Sequence, residues 1–217
     1  MTPTNIIFLG RSGSGKGTQA KLLQKKFGLV NIDTGGLLRK LAQKKDDLGK
    51  EISRNINKGS LVPQWLVVYC WLQQLRTISV KKGVIMEGAP RRLNEAKVLE
   101  EIFHWLGRDK IKVIYLNVPA REVTKRLLAR RICANCGKEY SLLFTPGIKK
   151  CSVCGGKLIR RSDDYPKAIK NRMLFFQTEI IPIINYFRRK KMLVEVDGIG
   201  SIEDIHRRIV AKLGKKI

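Results

Sequence analysis

Two groups of residues have types and spacings that do chemistry. The first is Gly10-Arg11-Ser12-Gly13-Ser14-Gly15-Lys16-Gly17-Thr18, with Gly10, Gly15 and Lys16 at the Walker A spacing. Glycines let the backbone aim its N–H groups inward at phosphate oxygens. A helix starting at the same point adds the positive end of its dipole. Lys16 supplies a mobile charge for a transferring phosphoryl. The second group is Cys133-Ala134-Asn135-Cys136-Gly137 and Cys151-Ser152-Val153-Cys154-Gly155, two Cys-x-x-Cys pairs 14 residues apart. Four thiolates at this spacing suit a tetrahedral metal, zinc first and iron as the alternative, and a glycine after each pair eases the tight turn. Four sulfur ligands leave no open position, so such a metal is structural. The fifth cysteine, Cys70, lies in the apolar run Leu66–Leu72 and reads as a small buried hydrophobe.

These residues need elements to hold them. Short β-rich runs at Asn5–Leu9, Leu29–Ile32, Val84–Met86, Lys112–Val118 and Met192–Val196 alternate with stretches of helical spacing. This alternation predicts an α/β domain, a five-stranded parallel sheet with helices on both faces. Near the C-terminus Ile202, Ile205, Ile209 and Leu213 share a helical face, and Ser201 with Asp204 makes a capping box at its start. Residues 133–156 break the pattern and read as an inserted module. The chain has 217 residues, 43% hydrophobic and 29% charged, which is ordinary for a globular domain. No apolar run approaches a membrane span and no signal peptide fits, so a cytoplasmic protein is expected. Forty-four Lys and Arg against 18 Asp and Glu give a net charge of +26. Solvated basic faces explain most of that, and non-specific binding of polyanions such as RNA is the alternative.

The loop and four further segments resemble the adenylate kinases, in order and spacing along nearly the whole chain. Asp33-Thr34-Gly35-Gly36-Leu37-Leu38-Arg39 is similar to the segment that holds the nucleoside monophosphate, and Lys58-Gly59-Ser60-Leu61-Val62-Pro63 to the end of that small subdomain. Gly83 through Arg91 resembles the strand and loop that end in the second monophosphate arginine. Arg126 to Arg131 and Arg161-Ser162-Asp163-Asp164 flank the family's lid, which in some members bears zinc. Val196-Asp197-Gly198 precedes Gly200, where backbone meets the donor adenine.

The resemblance implies a P-loop NTPase fold and reversible transfer of the γ-phosphoryl of Mg-ATP to AMP, giving two ADP. No protein partner is required. The implied core is 1–32, 63–128 and 165–217, with an acceptor subdomain at 33–62 and a zinc-binding lid at 129–164. Implied catalytic residues are Lys16, Arg91, Arg126, Arg130, Arg161 and Arg172. ATP would meet Gly13, Ser14, Gly15, Lys16, Gly17, Thr18, Arg126, Arg130, Glu139, Tyr140 and Gly200. AMP would meet Thr34, Arg39, Ser60, Leu61, Val62, Gly88, Ala89, Pro90, Arg91, Glu95, Arg161 and Arg172. Arginine suits these places because its fork meets phosphate oxygens bidentately. Asp164, just before Tyr165-Pro166, reads as the cap of the next helix, and Asp163 as a partner for the lid arginines.

Several residues depart from the family pattern. Gly36 stands where an acid is usual. Glu87, one methylene longer than the usual aspartate, remains to hold magnesium through water. Ala89 replaces an aromatic and Arg92 follows Arg91. Glu95 stands where a glutamine usually reads the adenine edge. An ionised glutamate only accepts hydrogen bonds, so it would disfavour adenine N1 and favour a base with adjacent N–H donors, such as guanine. Alternatively it turns aside or takes up a proton, and AMP stays preferred. A more distant reading is a non-catalytic, basic zinc-ribbon protein that binds RNA.

Overall fold

The computed structural model describes residues 3–58, 60–161 and 164–214. The expected features at Gly59, Ser162 and Asp163 lie outside the described residues. The main sheet holds five parallel strands, β1 (Asn5–Leu9), β2 (Val30–Asp33), β3 (Val84–Glu87), β4 (Ile111–Asn117) and β8 (Leu193–Asp197), in the order β2-β3-β1-β4-β8. Each lies within one or two residues of its expected bounds. β2, β3 and β8 run on to Asp33, Glu87 and Asp197, polar residues that face the cleft at the strands' carboxyl ends.

Alternation along the strands builds two cores. Ile7, Leu9, Val113, Tyr115, Val84 and Met86 face α4 (Gln64–Leu75), α5 (Leu93–Trp105) and α8 (Ile181–Arg189). Ile6, Phe8, Ile85, Ile114, Leu116 and Val196 face α1 (Lys16–Phe27) and α9 (Ile202–Leu213). Burial on both faces explains why the strands read as unbroken apolar runs rather than alternating ones. Each such side chain contributes about 1.5–3 kcal/mol. The Ser201–Asp204 capping box is present at the start of α9, and Cys70 is buried in α4.

β1 is the switch point of the sheet: the chain leaves it outward to β2 and returns later to β4 on its other side. Ligands of open α/β sheets bind beyond the carboxyl ends of the strands at such a point. Two additions stand over that end. Residues 34–57 form α2 (Thr34–Ala42) and α3 (Asp47–Asn57). After α6 (Ala120–Leu128), a three-stranded antiparallel sheet is built from β5 (Arg130–Cys133), β6 (Glu139–Ser141) and β7 (Leu158–Ile159), in the order β6-β5-β7. α7 (Pro166–Phe175) leads back and passes through a π-helical turn, Phe176–Ile180, into α8.

Candidate active site

The loop from Gly10 to Gly15 joins β1 to α1, and Gly15 at the helix start has φ +98°, a left-handed conformation that glycine adopts without steric cost. Lys16 Nζ donates to the carbonyls of Gly10 at 2.9 Å and Arg11 at 2.8 Å, and reaches Ser14 Oγ at 3.4 Å. Desolvation holds this ammonium down from 10.5 to about 8. Arg91, Arg130 and Arg172 push in the same direction and Glu87 opposes them. Ser14 is buried beneath the loop, and Thr18 is exposed one residue past Gly17.

Arginines arrive from several parts of the chain. Arg126, on α6, donates to Ser14 O at 3.4 Å and Gly198 O at 3.0 Å while pairing with Glu122 at 2.9 Å. One side chain thus braces the phosphate loop and the turn after β8 that carries Gly200. Arg130, at the start of β5, and Arg172, on α7, share one fully buried carboxylate. Asp164 accepts from Arg130 Nε and Nη2 at 2.7 Å each and from Arg172 Nη1 at 2.9 Å. The expected helix cap is therefore corrected. The capping position of α7 is Tyr165, with no side-chain cap, because Asp164 is turned inward to two guanidiniums. Arg161 pairs with Glu139 at 3.3 Å, and Arg130 lies 3.9 Å from the same carboxylate. Arg91 follows β3 and donates from Nε to Gly88 O at 2.9 Å. Desolvation lowers its pKa, Glu95 opposes that, and Arg172, Arg161 and Arg39 lower it further. So Arg91, Arg130 and Arg172 lie within electrostatic reach of Lys16, and Arg172, Arg161 and Arg39 within reach of Arg91. So many cations in one cleft are a site for a polyanion.

Carboxylates border the cluster. Asp33 and Glu87 are paired neighbours at the ends of β2 and β3. Burial and then Asp33 raise the pKa of Glu87, while the Asn31 amide, donating at 3.3 Å, and Lys16 and Lys21 lower it. Two adjacent carboxylates beside a phosphate loop fit a hydrated magnesium ion. Asp33 also pairs with Arg39 at 3.3 Å. A Cβ built on Gly17 would lie 2.5 Å from Glu87 Oε1, and one on Gly36 2.5 Å from Asp33 Oδ2. The space above Gly36, the position at which the resembling family usually has an acid, is thus taken by the Asp33 carboxylate. Sequence reasoning missed Asp33 as a site residue. Its position beside Glu87 at the end of a neighbouring strand was the available signal.

At the start of α2, Thr34 is buried and its hydroxyl accepts from Trp71 Nε1 at 3.0 Å. Ser60 is exposed and Leu61 half-buried. Val62, Ala89 and Pro90 are buried, and Gly88 lies beside Gly35. Glu95 is 1% exposed, which decides its charge partners. Its Oε2 accepts from the Arg91 backbone N–H at 2.7 Å and its Oε1 from Arg92 Nη1 at 3.2 Å. Arg92 also donates to Val62 O at 2.9 Å, a role its sequence position did not announce.

In the small sheet the sulfurs of Cys133, Cys136, Cys151 and Cys154 all lie within 4.8 Å of one another. Zinc–sulfur bonds of about 2.3 Å in a tetrahedron put sulfurs roughly 3.8 Å apart, so the residues fit the metal. Gly137 and Gly155 close the two knuckles at φ +70° and +69°. Tyr140 is turned into this cluster, its hydroxyl 3.2 Å from Cys151 Sγ and 3.0 Å from Ser152 Oγ.

The family model for adenylate kinase matches residues 8–192. The adenylate kinase of Archaeoglobus fulgidus is 39% identical over 97% of this chain and 98% of its own length. That of Thermodesulfovibrio yellowstonii is 37% identical over 97% and 99%, and that of Thermosipho melanesiensis 38% over 95% and 97%. The chain belongs to the adenylate kinase family. Its activity is the family's: phosphoryl transfer between Mg-ATP and AMP, with ADP as product. The α/β architecture with five parallel strands is the P-loop fold of that family. No helix among the described residues is long and apolar enough to cross a membrane.

Proposed function

We propose that the cleft performs this transfer with the following division of work, and that AMP is the preferred acceptor. Phosphoryl transfer needs in-line placement and charge stabilisation more than covalent help. Gly13 through Thr18 cradle the donor phosphates, and Gly200 meets the adenine. Lys16, released from the loop carbonyls by a better anion, follows the transferring group. Arg126 and Arg130 hold the donor side. Arg39 and Arg91 hold the acceptor phosphate. Arg161 and Arg172 reach both. Glu87, with Asp33 beside it, would hold magnesium through its waters, and that ion supplies further neutralisation of donor charge. Thr34, Ser60, Leu61, Val62, Gly88, Ala89, Pro90 and Glu95 line the acceptor pocket.

Residues 33–62 serve as acceptor subdomain and 129–164 as lid, on a core of 1–32, 63–128 and 165–217. The four cysteines would hold zinc as a structural brace, since the lid alone buries little apolar surface. Glu139 acts through its hold on Arg130 and Arg161, and Tyr140 through its hold on the cysteine knuckle. Closing the lid excludes water, so phosphate passes to AMP rather than to hydrolysis.

The observation that carries the reading is the convergence of Lys16 and five arginines from separate elements on one cleft. The observation that favours AMP is Glu95. Both its oxygens are already engaged by Arg91 and Arg92, so its charge is compensated and no bare carboxylate faces the base. The cytoplasm is the proposed location. Polyanion binding at the basic surface is proposed to be weak and salt-sensitive. A coupled assay with ATP, AMP and magnesium tests the whole. Two ADP formed per AMP consumed is expected. RNA retention without turnover would favour the non-catalytic reading.

A further inference from the structure

The second residue of the phosphate loop is an arginine that none of these steps uses. The Arg11 guanidinium carbon lies 4.1 Å from the centroid of the Phe176 ring, and Arg11 Nη1 donates to Val118 O at 2.9 Å. Phe176 is buried and stacks in turn on Tyr115 of β4, with centroids 6.4 Å apart and planes 24° from parallel. A guanidinium over a buried aromatic face is an attractive, geometrically selective contact. One side chain therefore joins three pieces: the phosphate loop, the carboxyl end of β4, and the start of the π-helical turn.

That turn matters because of what precedes it. Phe176 comes directly after α7, and Arg172 lies four residues, about 6 Å along the helix axis, before Phe176. α7 is also the element through which the lid returns to the core. A π-helical turn interrupts the regular hydrogen-bond ladder, so the end of α7 is placed by its packing as well as by its own helix. The packing at that point includes Arg11.

We propose that Arg11 is a positioning residue for phosphoryl transfer: stacked on Phe176, it fixes the end of α7, and with it Arg172, against the loop that carries Lys16. The proposal rests on the assignment of Arg172 to the reacting phosphates. Misplacing a charge-stabilising arginine by a fraction of an ångström weakens the transition state more than the ground state.

A double-mutant cycle tests it, with kcat, the KM for ATP and AMP, and melting temperature measured on each purified variant. Arg11→Met keeps the apolar reach and loses the charge and donors. It is expected to lower kcat roughly tenfold while both KM values stay within about twofold. Arg11→Lys, which keeps a cation over the ring, recovers part of the loss. In an Arg172→Ala background, Arg11→Met lowers kcat no further, because the two act as one unit.

Three results would overturn the proposal. One is unchanged kcat in Arg11→Met with only a lower melting temperature, which is a structural role alone. Another is full multiplication of the two losses in the double variant, or a raised KM for ATP, which makes Arg11 an independent phosphate contact. The third is wild-type kcat in Arg172→Ala, which brings down the reading of Arg172 as well and so separates the two failures.

Discussion

The donor and acceptor halves of the cleft are built by different means. On the donor side Lys16 and Arg126 rest largely on backbone, while Arg130 is held by the Asp164 carboxylate. Lys16 donates to Gly10 O and Arg11 O, and Arg126 donates to Ser14 O and Gly198 O. On the acceptor side Arg39 rests on the Asp33 side chain, Arg92 on both Glu95 and Val62 O, and Arg91 on Gly88 O. The departures from the family pattern, Gly36, Glu87, Ala89, Arg92 and Glu95, fall on the acceptor side. The difference has a physical reason. A cation held by the carbonyls of a tight loop cannot be replaced without moving the chain. A side chain held by another side chain is free of that constraint, and Arg92 meets Glu95 in this way.

The largest effect that would break this contrast is on the donor side. Lys16→Met removes the charge that follows the phosphoryl, and no neighbouring side chain takes its place. A loss of kcat/KM of roughly a thousandfold is expected in steady-state assays. A loss below about tenfold would mean that the surrounding arginines substitute for it.

The next test lies where the halves touch. Gly17→Ala drives a methyl against Glu87 Oε1, 2.5 Å from the built Cβ. The displaced carboxylate should lower kcat/KM about a hundredfold. Shortening the partner with Glu87→Asp should restore much of it, as expected for a paired site. No restoration in the double variant would show that the strain falls on the loop backbone instead.

Metal removal probes the brace on the donor side. Stripping zinc with a chelator should lower the melting temperature by roughly 5–15 °C in calorimetry, because binding energy at such a site is folding energy. Equal melting temperatures with and without chelator would remove zinc from the account.

The smallest effect is a titration. The unfolded chain holds the Lys16 proton to about 10.5 and the folded chain only to about 8, so the Lys16 contribution to stability rises with pH between those values. ATP binds the charged form and should weaken over the same window. At pH 8 it should take up roughly half a proton, read by calorimetry in two buffers of different ionisation enthalpy. Lys16→Met should take up none. Identical uptake in both proteins would assign the proton elsewhere.

Much of this molecule is legible in its sequence because backbone geometry dictates it. The glycines around Lys16, the strand runs and the Cys-x-x-Cys spacing each answer to a local constraint, and each marks its element. The partnerships of polar side chains across the cleft answer to no local rule. Asp164 looked like a cap because a proline follows two residues later, but the two arginines it meets come from residues 130 and 172. Asp33 looked like a motif residue until β2 and β3 aligned it with Glu87. Arg11 gave no signal, since its ring partner is 165 residues away and sits in a π-helical turn that no spacing pattern marks. The small three-stranded sheet was likewise hidden, because its strands are two to four residues long.

The most direct measurement is an acceptor panel: AMP, GMP, CMP and UMP with Mg-ATP, compared by kcat/KM. If Arg92 and the Arg91 N–H compensate Glu95, AMP is used faster than each of the others by roughly a hundredfold or more, a difference of about 2.7 kcal/mol. GMP used as fast as AMP, or faster, would show that Glu95 reads the base as a bare acceptor. It would contradict the claim that Arg91 and Arg92 compensate Glu95 and leave AMP the preferred acceptor.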